Sequence, residues 1–455
     1  MQEAQSVWHL AWPIMIAQLA QTGMGFVDAV MAGRVSADDL AAVSLGVSVW
    51  VIIIVTLMGL MMAISPAVSQ LYGAKEYHRI PHTVRQGLWM ALGLALLAWA
   101  IGLGTLPVFS HIGLSPTVEE KARQFVIAVC FGLPAFTWFR ILANYSASIN
   151  RTRPMMVIGL IGLILNIPFN YILIYGKFGL PALGGVGCGY ASALCGWISC
   201  LLLAAWIYWA EPYRDTMPFD RWEGPNWQEI SQLLKLGVPI GITYFAEVTA
   251  FSLVALLIAK FGSVQIAAHQ IALNFSSMVF MIPMSFGLAC LVRVGQAVGE
   301  GDPYKARYSA WVGVGMSLAY AICSASFIAL AASTIAGWYS QDEAVIKLAS
   351  HFLLYAALFQ LSDATQVSTS CAMRGYKSTR IPMLIHMTAF WGLSLPLGCV
   401  LGLAPDWIPF APAKPMAAEG FWIAIVASLT LAAILLSWQL DKLSRRRIAD
   451  AARPH

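Results

Sequence analysis

The chain has 455 residues and a formal net charge of +5, with 59% hydrophobic residues against only 11% charged. Ordinary soluble domains carry about 25% charged residues, so this composition excludes a string of soluble domains and assigns most of the surface to lipid. The basic excess does not point to nucleic acid: Lys and Arg stand singly in short connections, and the one dense run, Arg445-Arg446-Arg447, has the pattern of a juxtamembrane anchor.

Apolar runs long enough to cross a bilayer, about 20 residues or more each, recur along the whole chain. In order they cover residues 8–33, 40–72, 86–109, 122–148, 155–175 and 184–209, then 230–260, 265–298, 306–335, 343–373, 380–403 and 416–440. The first is too long for a cleavable leader and lacks the basic residues that would precede one, so no leader is expected. The expected class is an all-α polytopic membrane protein of twelve transmembrane helices in two six-helix bundles, residues 1–210 and 230–441. A linker over 211–229, carrying Pro212, Pro218 and Pro225, joins them, and residues 442–455 form a tail. Lys and Arg are unevenly divided between alternate connections, 17 against 7, and the richer side is predicted to be cytoplasmic, with both termini on it.

The two halves read as copies. A shift of 226 residues brings Pro13 onto Pro239, Leu40-Ala41-Ala42 onto Ile266-Ala267-Ala268, Gln70 onto Gln296 and Gly73 onto Gly299. Two residues of slippage later, Pro154 meets Pro382 and Pro168 meets Pro396. Six spans per copy put both in the same sense across the membrane, a parallel repeat with pseudo-two-fold symmetry about the membrane normal and a cleft suited to alternating access. Prolines within spans (Pro13, Pro66, Pro134, Pro168, Pro239, Pro283 and Pro396) predict bent helices.

Of 22 acidic residues, 19 lie in connections, tails or span ends. The other three, Asp28, Glu247 and Asp363, fall inside spans 1, 7 and 10, where an uncompensated carboxylate costs on the order of 3 kcal/mol. At the repeat offset Asp28 corresponds to Val254 and Glu247 to Gln21, so the scaffold itself does not require these charges. Such groups can exchange a proton, Na⁺ or a cationic substrate. Arg140, the deepest basic residue, reads as a side chain snorkelling from span 4. Asn166 and Asn170 lie one turn apart on span 5, either as oxygen ligands beside Asp28 or as a helix–helix hydrogen bond. Met278, Phe280, Met281 and Met284 in span 8 could line an adaptable cavity or face lipid. Trp8, Trp206, Trp209 and Trp407 sit where an interfacial aromatic belt belongs. The eight cysteines, among them Cys130, Cys195, Cys290 and Cys323, form no metal-binding spacing and are expected to be reduced and buried. There is no GxxxxGK[ST], HExxH or GxSxG motif, and the glycines at 184, 185, 187 and 189 lack a Lys-Ser/Thr tail. Direct use of ATP and an intramembrane enzyme are both disfavoured.

The segment AQLAQTGMGFVDAVMAG over 17–33 resembles span 1 of the multidrug and toxic compound extrusion (MATE) family, in its NorM-type branch. PIGITYFAEVTAF over 239–251 is similar to span 7 of that branch, and LFQLSDATQVSTSCAMRGYKSTRIPM over 358–383 to its span 10 and following loop. The resemblance implies cation-coupling and proton-binding roles for Asp28, Glu247 and Asp363, the same three carboxylates as the substrate site, and possible Na⁺ ligation at Glu247 and Asp363. It gives Asn166 and Asn170 a supporting polar role; other branches have aspartate at the second position, so no mechanism here can count on a second carboxylate in that bundle. The function implied is secondary active export of organic cations, drugs and dyes, in exchange for inward H⁺ and/or Na⁺. No cofactor and no nucleic acid are implied; a monomer in the bacterial inner membrane is expected. A lipid-linked precursor flippase of the same superfamily is the alternative, although its pyrophosphate calls for basic residues where these are acidic.

Overall fold

The computed structural model describes residues 2–111, 115–405, 412 and 414–452. Helices dominate them, because long apolar segments in lipid can satisfy their backbone groups only internally. In chain order they are α1 (Gln2–Gly33), α2 (Ala37–Met61), α3 (Ile64–Gly73), α4 (Ile80–Gly104), α5 (Leu106–Phe109), α6 (Pro116–Phe131), α7 (Leu133–Ser148), α8 (Arg153–Tyr175) and α9 (Val186–Trp209). After a short 3₁₀ segment, Glu211–Thr216, follow α10 (Trp227–Ala259), α11 (Ser263–Gly299), α12 (Pro303–Tyr339), α13 (Glu343–Gly375), α14 (Arg380–Met387), α15 (Leu395–Leu403) and α16 (Ala418–Ala451). Eleven helical stretches among the described residues are long and apolar enough to cross a membrane, and the bent pair α6–α7 makes twelve.

Local chemistry sets the boundaries. Ser36, Asp302 and Asp342 cap α2, α12 and α13 by accepting from the backbone N–H of Asp39, Lys305 and Ala344. Gly176 ends α8 at φ +65°, where a Cβ would lie 2.5 Å from the Ala182 nitrogen. Of the prolines expected to bend helices, Pro134 stands at the start of α7, which is set at 41° to α6 across Gly132, and Pro396 follows a π-helical segment, Thr388–Ser394, whereas Pro13, Pro168, Pro239 and Pro283 lie inside continuous helices.

The chain forms two compact units, Trp12–Gly241 and Met1–Ala11 together with Ile242–His455. Within the first, α8 and α9 approach closely at Gly187, where a Cβ would lie 2.8 Å from the Leu173 backbone. The polar stretch 211–226 is docked on this unit. The Arg85 guanidinium on α4 donates to Asp220 (2.6 Å), Glu223 (2.7 Å) and the Pro218 carbonyl (3.1 Å). Gln86 accepts from the Asn226 amide at 2.7 Å, and Tyr145 on α7 donates to the Thr216 carbonyl at 2.8 Å.

In the second unit, Phe352, Phe390, Phe421 and Trp422 form the centre of a large aromatic and aliphatic core. The start of α1 is tied to it: Arg293 on α11 grips the Glu3 carboxylate with two bonds of 2.8 and 2.7 Å, and Ser309 adds a third. Trp8 packs against Phe286 while staying half exposed, and Trp206 and Trp209 are exposed at the end of α9; Trp407 lies outside the described residues. Six of the cysteines are buried and Cys399 is partly so, but Cys323, expected in the interior, is exposed on the surface of α12. Met284 is buried and Met278 half exposed.

Candidate functional site

Each unit carries an acidic centre. In the unit Trp12–Gly241, α1 presents Asp28 toward α8 and α9. Asn166 and Asn170, both fully buried, donate their amides to Asp28 Oδ1 at 3.1 and 2.6 Å. Ser192 on α9 donates its hydroxyl to Oδ2 at 2.6 Å, and Asn170 also donates to Asn166 Oδ1 at 3.0 Å. The asparagines therefore act toward Asp28 through their N–H groups rather than as oxygen ligands, and they also bond to each other. Sequence reasoning missed Ser192, since a serine in an apolar run carries no signal of its own.

Asp28 faces a cavity of about 340 Å³, within the range of small-molecule sites. Met24, Trp50 and Phe136 give it apolar walls, and Gln21 and Arg140 give it a polar end. Arg140 does not snorkel. It is only 8% exposed, donates to Gln21 Oε1 at 2.5 Å and lies over the Phe136 ring at 5.3 Å. Its charge is retained at depth because a carbonyl oxygen and an aromatic face replace part of its hydration. A larger, more open groove of about 690 Å³ between α12 and α13 is lined mainly by Ala, Leu and Ser and has no acidic lining residue, so it is not the acidic site.

In the other unit, Glu247 on α10 lies within electrostatic range of both Asp363 and Arg374 on α13. Asp363 is buried and accepts from Gln366 Nε2 at 2.8 Å. Arg374, counted from sequence among the loop cations, is instead a buried residue of α13 whose guanidinium lies 5.3 Å from the Tyr244 ring centre. Glu247 thus has within electrostatic range a basic residue that hydropathy places in a connection. Among the described residues no group of three or more His, Cys, Asp or Glu has metal-binding geometry.

Comparison with known proteins agrees with this architecture. The MatE family model matches residues 13–172 and again 239–400, so its two copies start 226 and end 228 residues apart, the offsets at which the halves align. The chain is 44% identical over 449 residues to the probable multidrug resistance protein NorM of Chromobacterium violaceum, covering 98% of this chain and 95% of that one. It is 44% identical to the multidrug resistance protein PmpM of Pseudomonas aeruginosa, covering 99% and 94%, and 42% identical to MdtK of Edwardsiella ictaluri, covering 98% and 96%. Among solved structures, a MATE protein in a bent conformation superposes with a TM-score of 0.89 at 18% identity, covering 100% of this chain and 98% of that one. The eukaryotic MATE transporter AtDTX14 superposes with a TM-score of 0.88, also at 18% identity and covering 99% of both chains. The chain therefore belongs to the MatE family, the multidrug and toxic compound extrusion transporters, in its NorM-type branch, and is a transporter rather than an enzyme.

Proposed function

We propose that this protein exports organic cations across the bacterial inner membrane in exchange for inward H⁺ and/or Na⁺. Asp28, Glu247 and Asp363 serve as the proton- and cation-binding groups, and Asn166 and Asn170 as supporting donors. The observation that carries the reading is the setting of Asp28. Its hydrogen-bond partners, Asn166, Asn170 and Ser192, are all neutral. Neutral donors orient a carboxylate and lower the cost of burying it, yet leave its negative charge for a mobile cation. The adjoining cavity, apolar at Met24, Trp50 and Phe136, suits an amphiphilic cation whose charge meets Asp28 and whose hydrophobic body meets the walls. A monomeric transporter without a cofactor satisfies this reading.

The test is efflux of a cationic dye from proteoliposomes after a pH jump in Na⁺-free buffer. Dye movement that follows the pH gradient, and disappears in Asp28→Asn and Asp363→Asn, is the expected result. Gradient-driven efflux persisting in both variants would sink the assignment. Glu247→Gln is expected to weaken the dependence of initial rates on the coupling ion, measured across ion concentrations.

A further inference from the structure

The acidic centre of the second unit extends to a histidine that the transport reading does not use. Gln366 stands one turn beyond Asp363 on α13, and its amide spans two partners: Nε2 donates to Asp363 Oδ1 at 2.8 Å, and Oε1 accepts from His386 Nε2 on α14. The other ring nitrogen, Nδ1, donates to the Pro382 carbonyl at 2.6 Å. Asp363, Gln366 and His386 are each at most 3% exposed, so water cannot readily replace a lost partner.

An amide has one donor end and one acceptor end. With Nε2 toward Asp363, the carboxyl is ionised and both imidazole nitrogens must carry protons, because both face acceptor oxygens. Turned over, the amide accepts from a protonated Asp363 and donates to a neutral His386. Both arrangements satisfy every hydrogen bond and hold one proton between Asp363 and His386. With no proton or with two, one end of the amide faces a partner of its own kind, a mismatch that is costly when buried. The charged groups nearby are Arg374 on α13, which acts on both His386 and Glu247, and Glu247 itself on α10. Phe390 stacks on the imidazole from the π-helical segment. On α16, Leu436 and Leu440 pack at the level of Ile385, while Asp441 is paired with Arg307 and Lys442 lies over Trp438.

We infer that Gln366 couples the protonation of Asp363 to that of His386, so that the pair keeps one proton between them and His386 takes one up when an arriving cation displaces the proton of Asp363. One O–H bond is lost at Asp363, one N–H bond is gained at His386, and the pair's proton count is unchanged. His386 is a positioning residue, acting on Asp363 through the amide. It lies closer than Asp363 to the turn joining α13 and α14, so the coupling moves the proton toward that end of the unit. The inference rests on the transport role proposed for Asp363.

The experiment follows the carbonyl infrared band of protonated Asp363, assigned by its loss in Asp363→Asn, on purified protein between about pH 5 and 8. The wild type is expected to show a plateau on which the band changes less than about twofold across that range. His386→Gln can still meet either end of Gln366 but cannot titrate. It is expected to convert the plateau into a single step, with the protonated-to-ionised ratio changing about tenfold per pH unit. Gln366→Met, which keeps the length but severs the link, is expected to do the same. Superimposable titrations of the wild type and His386→Gln would overturn the inference, because a merely structural histidine is replaced by glutamine without moving the titration. Dye efflux by Asp363→Asn is scored separately: its persistence would refute the transport role of Asp363, whereas superimposed infrared curves with efflux abolished in Asp363→Asn would refute the coupling alone.

Discussion

Replacing Asp28 separates charge from fold. In Asp28→Asn the new side chain can point its Oδ1 at the Asn166 and Asn170 amides and its Nδ2 at Ser192, whose hydroxyl turns from donor to acceptor. The hydrogen bonds survive, so unfolding in detergent should change by no more than about 0.5 kcal/mol, the scale of a substitution that breaks no special feature. Asp28→Leu leaves two buried amides without their acceptor at about 1 to 3 kcal/mol each, in total about 2 to 4 kcal/mol because the asparagines keep the bond to each other. The charge is a separate quantity. A monovalent cation about 4 Å from a carboxylate gains about 4 kcal/mol at an effective dielectric constant of about 20, and desolvation takes back roughly half. The remaining 2 kcal/mol or so corresponds to about thirtyfold in affinity. Dye binding by Asp28→Asn should weaken by about that factor while its denaturant midpoint stays put. Unchanged binding, or Asp28→Asn as destabilised as Asp28→Leu, would refute the account.

The remaining predictions concern packing and the docked segment. Arg85→Met should speed hydrogen exchange at the Asn226 amide by about tenfold or more, since two charge-assisted bonds to Asp220 and Glu223 hold that segment in place; unchanged exchange would show that Arg85 does not anchor it. Hydrogen bonding from the Arg85 guanidinium, with His82 beside it, holds the Glu223 carboxyl at about 2, below its ordinary 4.5. A depressed carboxyl stabilises above its unfolded value, so docking should be at full strength above about pH 4.5 and be lost as pH falls toward 2, by about 1 to 2 kcal/mol after solvent screening; proteolysis of residues 211–226 across that window measures it, with Glu223→Gln removing the dependence. Gly187→Val drives a side chain into the Leu173 backbone, and should cost about 1 to 3 kcal/mol and weaken dye binding, because α8 and α9 hold Asn166, Asn170 and Ser192. Glu3→Gln breaks the forked bond with Arg293 and should destabilise by about 2 to 4 kcal/mol in chemical unfolding, with Glu3→Asp recovering part of the loss.

Hydropathy and repetition made most of the architecture readable, because a bilayer imposes one length and one polarity on each crossing. The same pressure exposed Asp28, Glu247 and Asp363, since a carboxylate in an apolar run is conspicuous. Arg374 was not readable as buried. It stands three residues before Lys377 at the end of a helix, and the Tyr244 ring that it faces lies 130 positions away in the sequence. Arg140 misled in the same way, since its Gln21 partner lies on another helix. Gln366 and His386 are ordinary residues in sequence, and their relation depends on α14 turning back beside α13. The stretch 211–226 looked like a solvated connection; a polar segment and a docked one have the same composition, and the difference is the fit of Arg85 among its acceptors.

The grip of Arg293 and Ser309 on Glu3 also sets an order of events during synthesis. Arg293 follows Glu3 by 290 positions. At ordinary rates of about 5 to 20 residues per second, about 15 to 60 s pass between their appearances. Through that interval the first turn of α1 lacks its contacts with Arg293 and Ser309, although Asp28 on the same helix already has its partners on α8 and α9. A slowdown in translation lengthens the wait and leaves the opening residues exposed to proteases and chaperones. Docking of the first turns of α1 onto Arg293 and Ser309 therefore has to wait until those residues of the second copy of the repeat have been made.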